Sequence, residues 1–347
     1  MNNRIYPVTV EDAAKTVCGK SAMILCHVNP DGDALGSATA LAELLRLTGG
    51  CGTVVTPSPV PERLSFITGG VDTSYRNGME SEFDLVLSVD TASPTQLGDL
   101  SHLADKVDLS FDHHESCTLY SPHVLYGGSA AAALVIFDLF LEFEKTGVLS
   151  GDTSGVLRRV FCALSSDTGS FKYANADVRA FLAAGEICRR LAYAPVSGIC
   201  PIDSMSTSDI SAALFDTVTK KDVAASKIAY KNLRYICGGK IALTAVSYEE
   251  MTAAGLKMDD LSGAVNCVRS IDGTAAGIIL KQSAKDTWRG SSRANCDFDL
   301  SVPAAKLGGG GHKRAAGFTV VADSLDAAVT IVEKIFGEAL AGEGYYE

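Results

Sequence analysis

Four short clusters of acidic and imidazole side chains stand in the first half of the 347-residue chain. They are His27-Val28-Asn29-Pro30-Asp31-Gly32-Asp33, Asp90 closing LVLSVD, Asp112-His113-His114 after VDLSF, and Asp167 in SSDTGSF. Each follows an apolar run, so a strand or helix can deliver each to one rim of a domain. Five aspartates converging there would repel one another, because like-charged carboxylates a few ångströms apart cannot all stay ionised. A pair of divalent cations removes that conflict, and paired ions are suited to in-line displacement at phosphorus. Residue types and spacing together predict a two-metal centre acting on phosphate esters.

The spacing within each cluster carries part of that expectation. HxxxDxD puts an imidazole and two carboxylates in one tight turn, which Pro30 and Gly32 allow. A calcium-loop reading of DGDALG fails, since counting from Asp31 as position 1 places Ala42 at position 12 where a Glu is required. Taken singly, His27 could be structural, Asp31 to Asp33 a surface Asx turn, Asp90 a strand-end cap and Asp167 part of a helix-terminal turn with Gly169. Asp112-His113-His114 is sharper: adjacent side chains diverge, so one histidine can bind metal while the other faces substrate. Imidazole with hard carboxylate oxygens suits Mn²⁺ best, with Mg²⁺, Co²⁺ or Zn²⁺ as alternatives.

The elements that must position these residues alternate. AMILCHV (22–28), CGTVVTP, FDLVLSVD and KVDLSFD read as compact strands, while DALGSATALAELLRLTG, SAAALVIFDLFLEFEK, VLRRVFCALSSDTG and DVRAFLAAGEICRRLA read as helices. This predicts an α/β fold: an N-terminal doubly wound parallel sheet with helices on both faces, ligands lying beyond the carboxyl ends of the strands. The expected organisation is a catalytic domain over residues 1–194, a linker and bridging helix over 195–225, and a smaller C-terminal α/β domain over 226–347, with a cleft between the two domains.

Composition narrows the function classes. With 47% apolar and 20% charged residues the chain is globular, and a net charge of −11 disfavours a protein that neutralises long nucleic acid. Ten scattered cysteines without a CxxC pair read as reduced thiols. No apolar leader or membrane span is legible, so a cytoplasmic location with no membrane partner is expected. In the second half, GGGGHKRAAG lacks the GK[ST] of a phosphate-binding P-loop. It reads either as a flexible glycine turn or, with His312 following, as a phosphate clamp built on the backbone of Gly309, Gly310 and Gly311. Arg293 is a second candidate, because a guanidinium can hold phosphate oxygens bidentately.

HVNPDGDALGS, the VD of LSVD, DHH, SSDTGSF and the distant GGGGHKRAAG together resemble the DHH phosphoesterases with a DHH-associated C-terminal domain, and the size resembles their nanoRNase/pAp-phosphatase branch. The resemblance implies one metal on His27, Asp31 and Asp90 and another on Asp33, Asp90, His113 and Asp167, with Asp90 bridging. It implies that His114 orients the phosphate, that Asp112 fixes a neighbouring imidazole tautomer, and that Arg293 and His312 receive the substrate's phosphate and nucleotide end. Relatives often carry an SLRS-like strand where this chain has SSRA (291–294), so Arg293 is kept while its neighbours differ. The implied reaction is attack by a metal-bridging hydroxide on short oligoribonucleotides and on the 3′-phosphate of pAp, with linear pApA or cyclic di-AMP as further substrates. Short RNA and nucleoside bisphosphates are thus the expected partners, long nucleic acid is not, and a homodimer is suggested. The alternatives are an exopolyphosphatase or pyrophosphatase of the same superfamily, and a non-catalytic nucleotide sensor.

Overall fold

Short runs of branched and leucine side chains in the first half form a parallel sheet in the computed structural model, which describes residues 5–68, 76, 78–195 and 200–344. Strands β1 (Ser21–Leu25), β2 (Cys51–Val55), β3 (Leu85–Val89), β4 (Leu109–Asp112) and β5 (His123–Leu125) lie in the order β2-β1-β3-β4-β5. Every neighbouring pair is parallel. Such a sheet must be covered on both faces, and alternation along β1 feeds two cores. Ala22 and Ile24 join one core with helices α1 (Val10–Val17), α2 (Gly32–Leu47), α3 (Ala133–Thr146), α4 (Ser154–Asp167) and α5 (Val178–Leu191). Met23 and Leu25 join the other with Leu97, Leu100 and Leu103, from short helical turns over Pro94–Lys106. The second face thus carries tight turns where a regular helix was expected, because Gly98 at φ 54° interrupts them.

Asp31 caps α2, its Oδ1 accepting the Asp33 and Ala34 N–H groups at 2.9 and 3.1 Å. One turn on, Gly36 lets α2 and α4 meet closely, since a Cβ there would lie 2.8 Å from the Arg159 carbonyl oxygen and from Ala163 Cβ. That contact brings together the helix that carries Asp33 and the helix that ends at Asp167.

The chain divides into two compact units, 1–217 and 218–347, at a point inside the 195–225 stretch. Residues 196–199 lie outside the described residues. The single bridging helix expected within 195–225 is instead two: α6 (Thr207–Ser211), continued by one wider turn over Ala212–Asp216, and α7 (Lys220–Lys231). Thr217 is extended at φ −90°, ψ 120°, and Thr219 opens α7 as a capping box with Asp222, so local capping outcompetes a continuous helix. Cys200, Ile202 and Ile210 pack into the N-terminal core, so the described part of the expected linker up to Thr217 belongs to that unit, while Ala225 joins a core of the second.

The second unit is a mixed sheet of β6 (Arg234–Ile236), β7 (Ile241–Val246), β8 (Ala276–Ala284), β9 (Thr287–Ala294), β10 (Gly310–His312) and β11 (Ala315–Val321), in the order β10-β11-β9-β8-β7-β6. Its helices are α8 (Tyr248–Ala253), α9 (Ala264–Arg269), α10 (Ser301–Lys306) and α11 (Leu325–Gly342), besides α7. Ile278, Leu280, Trp288, Phe318 and Val320 pack on one face against Val332 and Phe336 of α11. On the other face Val246 and Ile279 pack against α7 and α9, whereas Arg289, Ser291, Arg293, Ala315, Gly317 and Thr319 on β9 and β11 are half-buried or exposed. All ten cysteines are free. Among the described residues no helix is long and apolar enough to cross a membrane.

Candidate functional site

In the order β2-β1-β3-β4-β5 the chain leaves β1 toward opposite sides, so β1 and β3 flank the switch point where open α/β sheets bind ligands. His27 follows the end of β1 by two residues, Asp90 follows β3 directly, and Asp112 closes β4 ahead of His113 and His114. Asp31 and Asp33 stand at the start of α2, and Asp167 is the last residue of α4.

Asp90 is the centre of the group. His27 Nε2 lies 3.5 Å from its Oδ2, and His113 Nε2 lies 3.4 Å from its Oδ1. His27 Nε2 is also 3.9 Å from Asp31 Oδ1, and His113 Nε2 is 3.9 Å from both Asp33 Oδ2 and Asp167 Oδ2. His27, Asp31 and Asp90 form one set whose ligand atoms lie within 4.8 Å of one another, and Asp33, His113 and Asp167 form a second. Asp90 adopts φ 55°, a left-handed conformation uncommon for a side-chain-bearing residue, just where the strand ends.

A third set, Asp90, His113 and His114, is also close. There His114 faces Asp90 with Nδ1, 3.7 Å from Asp90 Oδ1 and already bonded to Asp112 Oδ1 at 2.7 Å. Asp112 also accepts the His113 backbone N–H at 2.8 Å. His114 thus keeps Nε2 for another partner, and this third set is the poorest cation site of the three.

Neighbours absent from the sequence-based expectation fix the geometry. The Ser129 carbonyl lies 2.8 Å from His113 Nδ1, and the Val28 carbonyl 2.9 Å from His27 Nδ1, which leaves each Nε2 facing the carboxylates. Asp33 accepts N–H groups of Ala132 (2.7 Å) and Ala133 (3.1 Å) at the start of α3, and the Ser37 hydroxyl at 2.9 Å. Asn175 Nδ2 donates to the Asp167 carbonyl at 3.1 Å and sits 3.5 Å from its carboxylate. Ser37 was discoverable, being one helical turn from Asp33; Ser129 and Asn175 have no sequence signal.

The electrostatics are those of crowded anions. Burial, then Asp90 and Asp167, raises Asp33 well above the usual carboxylate range, and burial with Asp90 raises Asp31. Burial pushes Asp167 up to about 6 despite His113. Burial alone would raise Asp90 too, but His113 and His27 hold it below the usual range. Burial opposes charge on those two imidazoles, yet Asp90 wins and lifts His27 to about 9 and His113 to about 10. Imidazolium protons thus occupy the place where cations would balance the carboxylates.

The remaining predicted residues lie in the second unit. Arg293 on β9 pairs with Ala315 on β11, and Ala315 pairs with His312 on β10, so the three form one transverse row on the open half of the sheet. Gly310 to His312 is an exposed edge strand, where a flexible turn had been one of the two expectations. Close backbone packing requires the glycines on either side of Gly310: a Cβ at Gly309 would sit 2.0 Å from the Gly317 carbonyl oxygen, and one at Gly311 2.5 Å from that of Ala315, while Gly310 has open space.

Comparison with known proteins agrees with this layout. The family model for the DHH family, N-terminal domain, matches residues 21–154, and that for the DHHA1 domain matches residues 238–338. The bifunctional oligoribonuclease and PAP phosphatase NrnA of Thermus thermophilus is 25% identical over 327 residues, covering 93% of this chain and 91% of that protein. Its namesake from Bacillus subtilis is 24% identical over 319 residues, covering 90% and 93%. Among solved structures, an exopolyphosphatase-related protein from Bacteroides fragilis superposes with a TM-score of 0.81 at 19% identity, covering 97% of this chain and 98% of that one. RecJ from Thermus thermophilus in complex with Mn²⁺ gives 0.54 at 15% identity, covering 96% of this chain and 55% of that one. These two structural likenesses establish a shared fold, and the two domain models, which span most of the sequence in the order found here, make the chain a member of the DHH phosphoesterase family with a DHHA1 domain.

Proposed function

We propose that this phosphoesterase uses two divalent cations, Mn²⁺ by preference, to hydrolyse short oligoribonucleotides and to remove the 3′-phosphate of pAp. The observation that carries the reading is Asp90 Oδ1, buried and without a hydrogen-bond partner among the described residues, on a carboxylate whose two oxygens face the two ligand sets. An orphaned anionic oxygen between two imidazole nitrogens fits a shared cation ligand. His27, Asp31 and Asp90 would hold one ion, and Asp33, Asp90, His113 and Asp167 the other. Asp33 Oδ2 accepts one N–H at 2.7 Å, so one of its lone pairs is left for an ion. Bound there, the ions would supply an activated water at neutral pH and neutralise charge on the phosphoryl oxygens.

The chain's own groups do the rest. Asp112 holds His114 through Nδ1 and raises its pKa, so His114 can present a protonated Nε2 to a phosphoryl oxygen as negative charge gathers. Ser129 and Asn175 keep His113 and Asp167 aimed at the centre. Arg293, His312 and the open backbone at Gly310 take a substrate phosphate. The net charge of −11 agrees with short substrates over long strands. The names of the two curated relatives, alike along nearly their full length, support the oligoribonuclease and pAp reading over a polyphosphatase.

The test is turnover of pAp, pApA, a five-nucleotide RNA and inorganic polyphosphate with Mn²⁺, wild type against Asp90→Asn. The reading expects the nucleotides to be hydrolysed and the variant to lose about a thousandfold or more. Turnover of polyphosphate alone would replace it with an exopolyphosphatase, and binding without turnover with a sensor.

A further inference from the structure

The border between the covered and open halves of the second sheet carries cations that the reading above does not use. Lys281 on β8 pairs with Arg289 on β9, and Arg289 pairs with Thr319 on β11. Four residues along the strands, Gly277, Arg293, Ala315 and His312 form the parallel row already described. Between them lies the row Ile279, Ser291, Gly317 and Gly310, which on the open side offers only small residues. Two basic rows thus flank a low floor, about 13 Å apart at the usual rise of a strand.

Lys281 is the anomaly. The residue is only 7% exposed, and neither its side chain nor that of Arg289 makes a hydrogen bond or ion pair with another described residue. Packing of its stem beside Val246 and Ile279 explains the burial of the methylenes. It does not explain an ammonium set beside the Arg289 guanidinium: burial, then Arg289 and the more distant Arg293, works against its charge, and Asp259 alone among carboxylates favours it, from beyond ion-pair distance. Lys281 and Arg289, like charges paired across β8 and β9 at the border of the open face, call for an anion, as converging carboxylates call for a cation.

We propose that Lys281 and Arg289 form a second anion subsite, which receives a further phosphate of a polyanionic substrate whose other phosphate is held at Arg293 and His312. The inference rests on the substrate-binding role given to Arg293 and His312 above. The two rows are too far apart for one phosphate to touch both, so the subsite discriminates by length: it adds affinity for an oligomer and none for a mononucleotide.

The experiment is equilibrium binding by the full-length, metal-stripped protein of a labelled five-nucleotide RNA, with adenosine monophosphate and inorganic tripolyphosphate as competitors. Lys281→Met keeps the packed stem, and Arg289→Gln alters an exposed residue whose loss leaves the core intact. Each should weaken the RNA about tenfold, as expected for one charge-assisted contact. Each should also flatten the dependence of log affinity on log salt by about 0.7, the single-strand value per phosphate contact, while adenosine monophosphate competes as before. Unchanged RNA affinity and salt slope in both variants, or equal weakening of monophosphate and RNA, would overturn the subsite. Parallel loss of tripolyphosphate binding would support a subsite that reads phosphate alone, and loss confined to RNA one that reads an oligonucleotide. If the wild type hydrolyses no nucleotide yet the charge-dependent binding is lost in the variants, the proposed function fails and the subsite stands.

Discussion

Asp33 and Asp90 of the N-terminal unit are almost wholly buried and are oriented by groups from four separate segments, whereas Arg289, Gly310 and His312 of the C-terminal unit stand exposed on a sheet face. The first arrangement holds like charges together at a cost that only exact placement and a counter-ion can offset. The second spaces cations along a floor of small residues, where a flexible polyanion can settle without displacing protein. Chemistry at phosphorus needs atoms fixed to a fraction of an ångström, while affinity for a short chain needs reachable charge. The difference predicts that substitutions in the first unit act on kcat and those in the second on KM.

Asp112→Asn tests the buried side most strongly after Asp90. An amide there would remove the carboxylate that favours the His114 imidazolium and, by donating to Nδ1, would leave a neutral ring whose one proton sits on Nε2, a weaker donor to a phosphoryl oxygen. A fall in kcat of about a hundredfold or more is expected with Mn²⁺ affinity little changed; a KM effect alone would break the comparison. On the open side, Arg293→Ala should raise KM for pAp and pApA about tenfold and leave kcat within about twofold, read from initial rates. A large loss of kcat would show that the sheet face also takes part in the chemical step.

The pH dependence sharpens the contrast, because the first unit carries strongly shifted histidines at its centre. Raised values mean that the metal-free folded protein holds the His27 and His113 protons more tightly than the unfolded chain does. That stabilisation is complete below about 6.5 and is lost as pH rises through about 9 and 10. Cations compete with these protons, so Mn²⁺ affinity should climb across that window and binding should release protons. Titration calorimetry in buffers of different ionisation enthalpy reads this directly, and a buffer-independent heat with flat affinity would contradict it. The smallest effects belong to the glycines: Gly309→Ala should cost ~2 kcal/mol or more, and Gly310→Ala within ~0.5 kcal/mol. Chemical denaturation would distinguish them, and equal costs would mean that the edge strand tolerates no side chain at all.

The sequence by itself determined the strand and helix alternation, because apolar runs that end in Asp or His are local patterns set by burial and period. It also determined the residue types of the metal-ligand clusters, since HxxxDxD and DHH are legible wherever they fold. It left β5 invisible, three residues being too few for a pattern, and it missed the break at Thr217–Thr219, where capping at Thr219 overrode helical continuity. Only the tertiary structure decided that His113 takes its second contact from the Ser129 carbonyl, that Asp33 also caps α3, and that Asn175 returns to Asp167. Only strand register put Lys281 and Arg289 in one row and Arg293 and His312 in another. The reason is physical: periodicity fixes which face a residue shares with its near neighbours, whereas partners contributed by distant segments are chosen when packing brings those segments together.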